Sequence, residues 1–139
     1  MKAQLTFTDR SGLLRQGVKL AAIDGLFIAA DEVSGKIKQG VLRGPKTGVT
    51  YTKTNPNRKH VASRIGEYPA TDIGTLVASI GAEKDFDAVY ITSSAAHAVE
   101  LEMRRPDRGG RPFITRGIIE NQNRIGELVT SYVRRSIDG

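Results

Sequence analysis

Apolar positions recur with a helical period in the first third of the chain. Five of them, spaced three or four residues apart, form one stripe along a predicted helix: Leu26, Ala30, Val33, Ile37 and Val41. Gly44 and Pro45 end this pattern, because glycine readily takes the left-handed conformation that closes a helix and proline cannot continue one. Glycines within the region weaken its helix propensity, and we expect a break near Gly25.

Alternation of apolar and polar residues predicts short strands elsewhere. Residues 3–7 alternate weakly near the start of the chain. Residues 76–81 and 89–92 alternate more clearly, and the mainly polar residues 83–87 are expected to connect them as a hairpin. Residues 95–103 fit a short helix or an edge strand equally well.

A second helical stripe lies at the other end of the chain, formed by Ile114, Ile118, Ile125, Val129 and Tyr132. It predicts an amphipathic helix that ends near Asp138. Helices at both ends with strands between them predict an α+β fold, in which a long N-terminal helix and a C-terminal helix pack on a small antiparallel sheet. We expect a single domain over residues 1–139. So small a sheet leaves open edges, which favour oligomerisation.

The segment from about residue 44 to residue 70, called the arm below, carries no core-forming period. Residues 43–70 contain six basic residues and one acidic residue, Glu67. This segment therefore carries most of the chain's net charge of +6. Long segments of this kind are usually functional or disordered. We expect the arm to contact DNA or a neighbouring protein, the two alternatives being equally compatible with its residues: Lys46, Lys53, Arg58, Lys59, His60 and Arg64.

A second basic loop precedes the C-terminal helix. Arg111 and Phe113 are predicted to anchor that helix, because Pro112 favours a helix start and Phe113 is the bulky apolar residue beside it. Glu100 lies between apolar neighbours, and we expect a partly buried ion pair between it and an arginine such as Arg111.

The sequence contains no motif that indicates a catalytic function. The chain has no cysteine, and its two histidines, His60 and His97, stand in no recognisable metal-binding or nucleophile motif. We therefore expect no catalytic residue, no metal and no cofactor, and a protein that is not an enzyme. We see neither a signal-peptide pattern nor an apolar run long enough to span a membrane, and we expect a soluble protein without membrane contact.

Four ordered blocks carry a resemblance to a known family. HVASRIGEYPATDIGTLVASI at residues 60–80 is similar to the tail-completion or neck proteins of tailed bacteriophages, the family that includes minor tail protein Z. LRGPKTG at residues 42–48, HAVELE at residues 97–102 and RPFITRGIIEN at residues 111–121 resemble the same family in the same order. The chain departs from the family pattern at His97, at Glu102 and over residues 115–117.

The resemblance implies a non-enzymatic virion protein that is assembled in the host cytoplasm. It would form a ring of six subunits at the junction between head and tail. Its partners would be the neighbouring head-connector and tail proteins, with genomic DNA passing non-specifically through the lumen. The alternative is a basic nucleic-acid-binding module that is not part of a virion.

Overall fold

The computed structural model describes residues 1–6, 16–72 and 74–138. The fold is α+β, as the sequence predicted, with a long N-terminal helix, a C-terminal helix and a small antiparallel sheet. A 3₁₀ turn lies at Pro106–Arg108. The helices and strands are, in chain order, β1 (Lys2–Leu5), α1 (Gln16–Arg43), β2 (Thr50–Lys53), β3 (Arg58–Val61), α2 (Thr75–Ser79), β4 (Ile80–Lys84), β5 (Val89–Ser93), α3 (Ala98–Met103), α4 (Ile114–Glu120) and α5 (Gln122–Asp138).

Helix α1 is the centre of the fold. All five residues of its predicted stripe are buried, and small residues widen that stripe: Ala22, Gly25, Ala29 and Ser34. Gly25 faces α5, whereas Phe27, about 200° further around the helix, lies under the Lys84 ammonium at the end of β4. The helix therefore lies between the sheet and the C-terminal helices.

The predicted break near Gly25 is wrong, because α1 continues through it to Arg43. A Cβ atom at Gly25 would lie 3.1 Å from both Tyr132 Cβ and Val129 Cα. The glycine allows α5 to approach α1 closely, and the packing of the two helices at this point offsets the cost of about 1 kcal/mol that glycine imposes within a helix.

The sheet has the strand order β1-β5-β4, with antiparallel pairing throughout. Leu5 pairs with Val89, and Ala82 pairs with Ile91. The buried members of these strands pack in the core that α1 covers, while Lys2 and Glu83 form an ion pair of 3.0 Å on the other face. The alternation at residues 3–7 is confirmed as far as β1 extends, and Phe7 lies outside the described residues.

The strand predicted over residues 76–79 is wrong, since these residues form α2. Leu76 and Ile80 are both buried. Their spacing of four suits one helical turn as well as it suits alternation, and an apolar pattern this short does not distinguish the two. The strand predicted at residues 89–92 is confirmed as β5, and the Asp85 amide donates to the Ala88 carbonyl at 2.8 Å to close the turn before it.

The C-terminal stripe is divided between two helices at Asn121, rather than lying on one. The Asn121 side chain donates to the Gly117 carbonyl at 2.7 Å, which replaces a helical hydrogen bond at the junction. Gly117 itself lies against Ile37, whose side chain would collide with any Cβ at this position. The ambiguous segment at residues 95–103 contains the helix α3.

Phe113 is completely buried, whereas the side chain of Phe86 is 76% exposed. Replacing Phe113 by alanine should lower the free energy of unfolding by about 3 to 5 kcal/mol, through lost burial and the cavity left behind. Phe86→Ala is the matched control, and it should change stability by less than about 0.5 kcal/mol in dilute protein. Denaturant unfolding of the two variants measures the difference. Equal stabilities would contradict the packing of Phe113.

Candidate functional site

The arm contains a β-hairpin, although its sequence carries no core-forming period. Strands β2 and β3 pair with Tyr51 opposite His60 and Lys53 opposite Arg58. Opposed residues of an antiparallel pair share a face, so these four side chains lie together on one side of the hairpin. The strands are short and mostly polar, and hydrophobic periodicity therefore gave no sign of them.

Three of the predicted contact residues converge on one carboxylate, Asp72. The Arg58 guanidinium donates from Nε to Asp72 Oδ1 at 2.8 Å and from a second nitrogen to Oδ2. Lys53 Nζ lies 3.3 Å from Oδ2, and His60 Nδ1 lies 3.8 Å from Oδ1. The Arg58 hydrogen bonds hold the pKa of the Asp72 carboxyl well below its usual range, and Asp72 raises the pKa of Arg58.

The Asp72 contacts give these three residues an internal role. Bidentate pairs between arginine and carboxylate are among the stronger and more directional polar contacts in proteins. Asp72 therefore orients the hairpin through Lys53, Arg58 and His60, and its negative charge partly compensates the two cations within the chain.

Lys46 also has an internal role, at the C-terminus of α1. Its ammonium donates to the carbonyl oxygens of Gly40 at 3.1 Å and of Gly44 at 2.8 Å. The Gly40 carbonyl also accepts from the Gly44 amide at 3.0 Å, so the ammonium adds a second donor at the end of the helix and complements the helix dipole. Burial lowers the pKa of Lys46.

Lys59 and Arg64 are the outward-facing members of the predicted set. Both are exposed, and within the described ranges neither side chain forms an ion pair. The backbone amide of Arg64 donates to Glu67 at 2.6 Å, and that of Thr47 donates to the same carboxylate at 3.0 Å. These two bonds lower the pKa of Glu67 and close the base of the hairpin.

Arg111 joins the arm to the second basic loop. Its guanidinium donates to the Ser63 carbonyl at 3.2 Å, and to the carbonyls of Gly110 at 2.7 Å and Pro106 at 3.0 Å. The ion pair expected between Glu100 and Arg111 is wrong, because exposed Glu100 pairs with Arg104 at 3.3 Å. Residues 98–103 form a helix, and Val99, one of the apolar neighbours of Glu100, faces solvent there.

Sequence reasoning missed the structural role of Glu102. This carboxylate accepts hydrogen bonds from the backbone amides of Phe113 at 2.8 Å, Ile114 at 3.1 Å and Thr115 at 2.8 Å, and from the Thr115 hydroxyl. It caps the N-terminus of α4, where Phe113 has no side-chain cap of its own. The lack of a capping residue before Ile114 was the one available signal.

Two glutamates two residues apart in the same helix test this cap. Glu102→Ala should lower the free energy of unfolding by about 1 to 2 kcal/mol, because it leaves three backbone amides at the start of α4 without their acceptor. Glu100→Ala, which removes only an exposed ion pair, should cost about 0.5 kcal/mol or less. Thermal and denaturant unfolding measure both values, and an equal loss in the two variants would contradict the cap.

Asp72 should make the hairpin sensitive to acid. An aspartate in an unfolded chain titrates near pH 3.9, and the folded pKa of Asp72 lies well below that value. Its stabilising contribution is therefore complete above about pH 4 and is lost as the pH falls toward the folded pKa. NMR amide signals of Tyr51 and His60 should move toward disordered-chain positions between about pH 4 and pH 2, before those of β5.

The Asp72→Asn variant is the control for this titration. Its hairpin signals should already be displaced at neutral pH and should lack the acid-dependent step. Hairpin signals at neutral pH that match those of the unsubstituted protein would contradict the role of Asp72.

The described residues thus form a surface suited to binding. In the described ranges no three His, Asp or Glu side chains come together as a possible metal site, and no helix there has the length and apolar character needed to cross a membrane. The arm presents outward cations on a hairpin that the chain's own carboxylates hold in place.

Comparison with family models, with curated proteins and with solved structures finds no match in any of the three.

Proposed function

We propose that this chain is a structural protein of a phage neck. Six copies would form a ring at the junction between head connector and tail, and DNA would pass through the lumen without sequence-specific contacts. The observation that carries the proposal is the hairpin with its outward cations, Lys59 and Arg64, on a base fixed by Asp72 and Glu67. The resemblance of residues 42–121 to tail-completion proteins supports the same conclusion.

The hairpin has the geometry of a contact element. Its strands pack chiefly on each other, and most of their residues are exposed. Contacts of Asp72 and Arg111 hold it to the rest of the chain. A projecting element held in this way can reach a neighbouring molecule without disturbing the core. The partner of its cations is then either DNA phosphate or an acidic surface of the adjacent ring.

The sheet supports association between copies. Strands β1 and β4 are the edges of the sheet, and among the described residues neither has a strand neighbour on its outer side. Open edges offer backbone groups for pairing with another chain. Such pairing is one lateral contact available to a ring.

A nucleic-acid-binding module outside a virion is the second candidate function. Tyr51 is half exposed beside the basic residues of the arm, and an exposed aromatic ring among cations can stack on a base. A monomer that binds DNA strongly at low salt would favour this function. Ring-shaped particles of the purified protein in negative-stain electron microscopy would favour the neck.

Removing the two outward cations should weaken the function while the fold is retained. We expect the Lys59→Gln/Arg64→Gln variant, added to an extract that lacks the protein, to join fewer heads to tails than the unsubstituted protein does. If these residues contact duplex DNA, the slope of log affinity against log salt concentration should also become shallower by about 0.9 for each contact removed. If they contact a neighbouring ring, joining should fall while DNA affinity of the free protein stays negligible.

Lys19→Gln/Arg134→Gln is the matched control, since it removes the same charges from exposed positions elsewhere on α1 and α5. It should leave joining intact. Normal joining by the Lys59→Gln/Arg64→Gln variant would contradict both versions of the contact.

A further inference from the structure

An acidic turn with an exposed aromatic residue lies between β4 and β5. Phe86 is among the most exposed large apolar residues in the described part of the chain, and Asp85 and Asp87 stand on either side of it. The hydrogen bond between the Asp85 amide and the Ala88 carbonyl keeps this turn tight. Within the described ranges neither aspartate forms an ion pair. The fold thus presents an apolar ring flanked by two negative charges.

An open hollow beside the hairpin has the opposite charge. Val49, Tyr51 and Ile65 supply exposed apolar surface, and Arg64 and Arg111 supply positive charge. The contacts of Arg111 are with carbonyl and hydroxyl oxygens, which do not neutralise its charge. The hollow therefore suits an apolar group that carries carboxylates beside it.

The turn lies beside the N-terminal half of α1, and the hollow lies near its C-terminus. Lys84, next to the turn, pairs with Asp24 at 3.0 Å. Lys46, next to the hairpin, donates to the carbonyl of Gly40. Asp24 and Gly40 are sixteen positions apart, which corresponds to about 24 Å of helix. A molecule therefore cannot fill its own hollow with its own turn.

We propose that Phe86 of one copy inserts into this hollow of a second copy, with Asp85 and Asp87 facing Arg111. The charges and the apolar surfaces are complementary, and an arginine beside an aromatic ring adds a favourable cation–π contact. The contact joins unlike surfaces, so the first copy keeps its hollow and the second copy keeps its turn for contacts with further copies. Repetition of such a head-to-tail contact closes into a ring when the rotation permits. The inference rests on the ring-forming part of the proposed function and assigns its subunit contact.

Cysteine cross-linking between copies tests the contact, since the chain has no cysteine of its own. Asp87→Cys keeps Phe86, and Ile65→Cys places a thiol in the hollow. A mixture of these two single variants under mild oxidation should give a disulfide-linked dimer, because a disulfide forms only when the two Cα atoms come within about 7 Å. Asp87→Cys mixed with Ile137→Cys is the control, because Ile137 and Ile65 are similarly exposed, at 65% and 62%.

We expect the first mixture to give at least about ten times the dimer of the control, a ratio that corresponds to about 1.4 kcal/mol. Adding Phe86→Ser to the Asp87→Cys variant should return the yield to the control level. Adding Val49→Glu to the Ile65→Cys variant should do the same, because Val49 lines the hollow and is 62% exposed, and a carboxylate there would repel Asp85 and Asp87. Met103→Ser removes an equally exposed apolar residue, 75% against 76% for Phe86, and should leave the yield unchanged. Yields at the control level in the first mixture would overturn the proposed contact.

The failure of this contact and the failure of the neck function are distinguishable. Rings that join heads to tails without the cross-link between residues 87 and 65 would overturn the contact and leave the function in place. A cross-link in a protein that joins no particles would overturn the function and leave the contact in place.

Discussion

The packing of α1 is the constraint on which the rest of the structure depends. This helix of 28 residues is about 42 Å long, and the sheet and the C-terminal helices pack on it from different sides. Two glycines set how closely those helices approach, since a side chain at Gly25 would press on the α5 backbone and one at Gly117 would collide with Ile37. The same helix separates the acidic turn from the basic hairpin, so its length also decides how copies can meet.

The charge available to a partner is smaller than the composition suggests. Of the basic residues in the arm, Lys46 caps α1, while Lys53 and Arg58 share Asp72. The latter two orient the hairpin, and Lys46 fixes the end of α1. Lys59 and Arg64 remain exposed on the outside. The cations that build the arm are therefore distinct from the cations that face a partner.

The sequence predicted the parts of the fold that local periodicity determines. The α1 stripe from Leu26 to Val41 and strand β5 follow from spacing alone. The α1 stripe is long enough to exclude the alternation of a strand, and β5 alternates clearly enough to exclude the period of a helix. The short pattern from Leu76 to Ile80 suits two periods and was assigned to the wrong one. The break at Gly25 was expected because helix propensity is a local property, whereas the packing of α5 that overrides it is not.

The candidate site was less accessible to sequence reasoning, because its contacts join residues that are distant in the chain. The basic character of the arm could be read directly, yet nothing marks Asp72 as the partner of Arg58, 14 residues away. Glu102 caps a helix that begins 12 residues later, while its neighbour Glu100 faces solvent. Both assignments depend on the path of the backbone, and composition carries no information about that path.

Electron cryo-microscopy of the native particle tests the central claim most directly, which is that this chain forms the ring at the head–tail junction. We predict a ring of copies there, with Lys59 and Arg64 of each hairpin directed toward the DNA in the lumen or toward the adjacent ring. A junction that contains no copy of this chain, or copies whose hairpins point into open solvent, would contradict the claim.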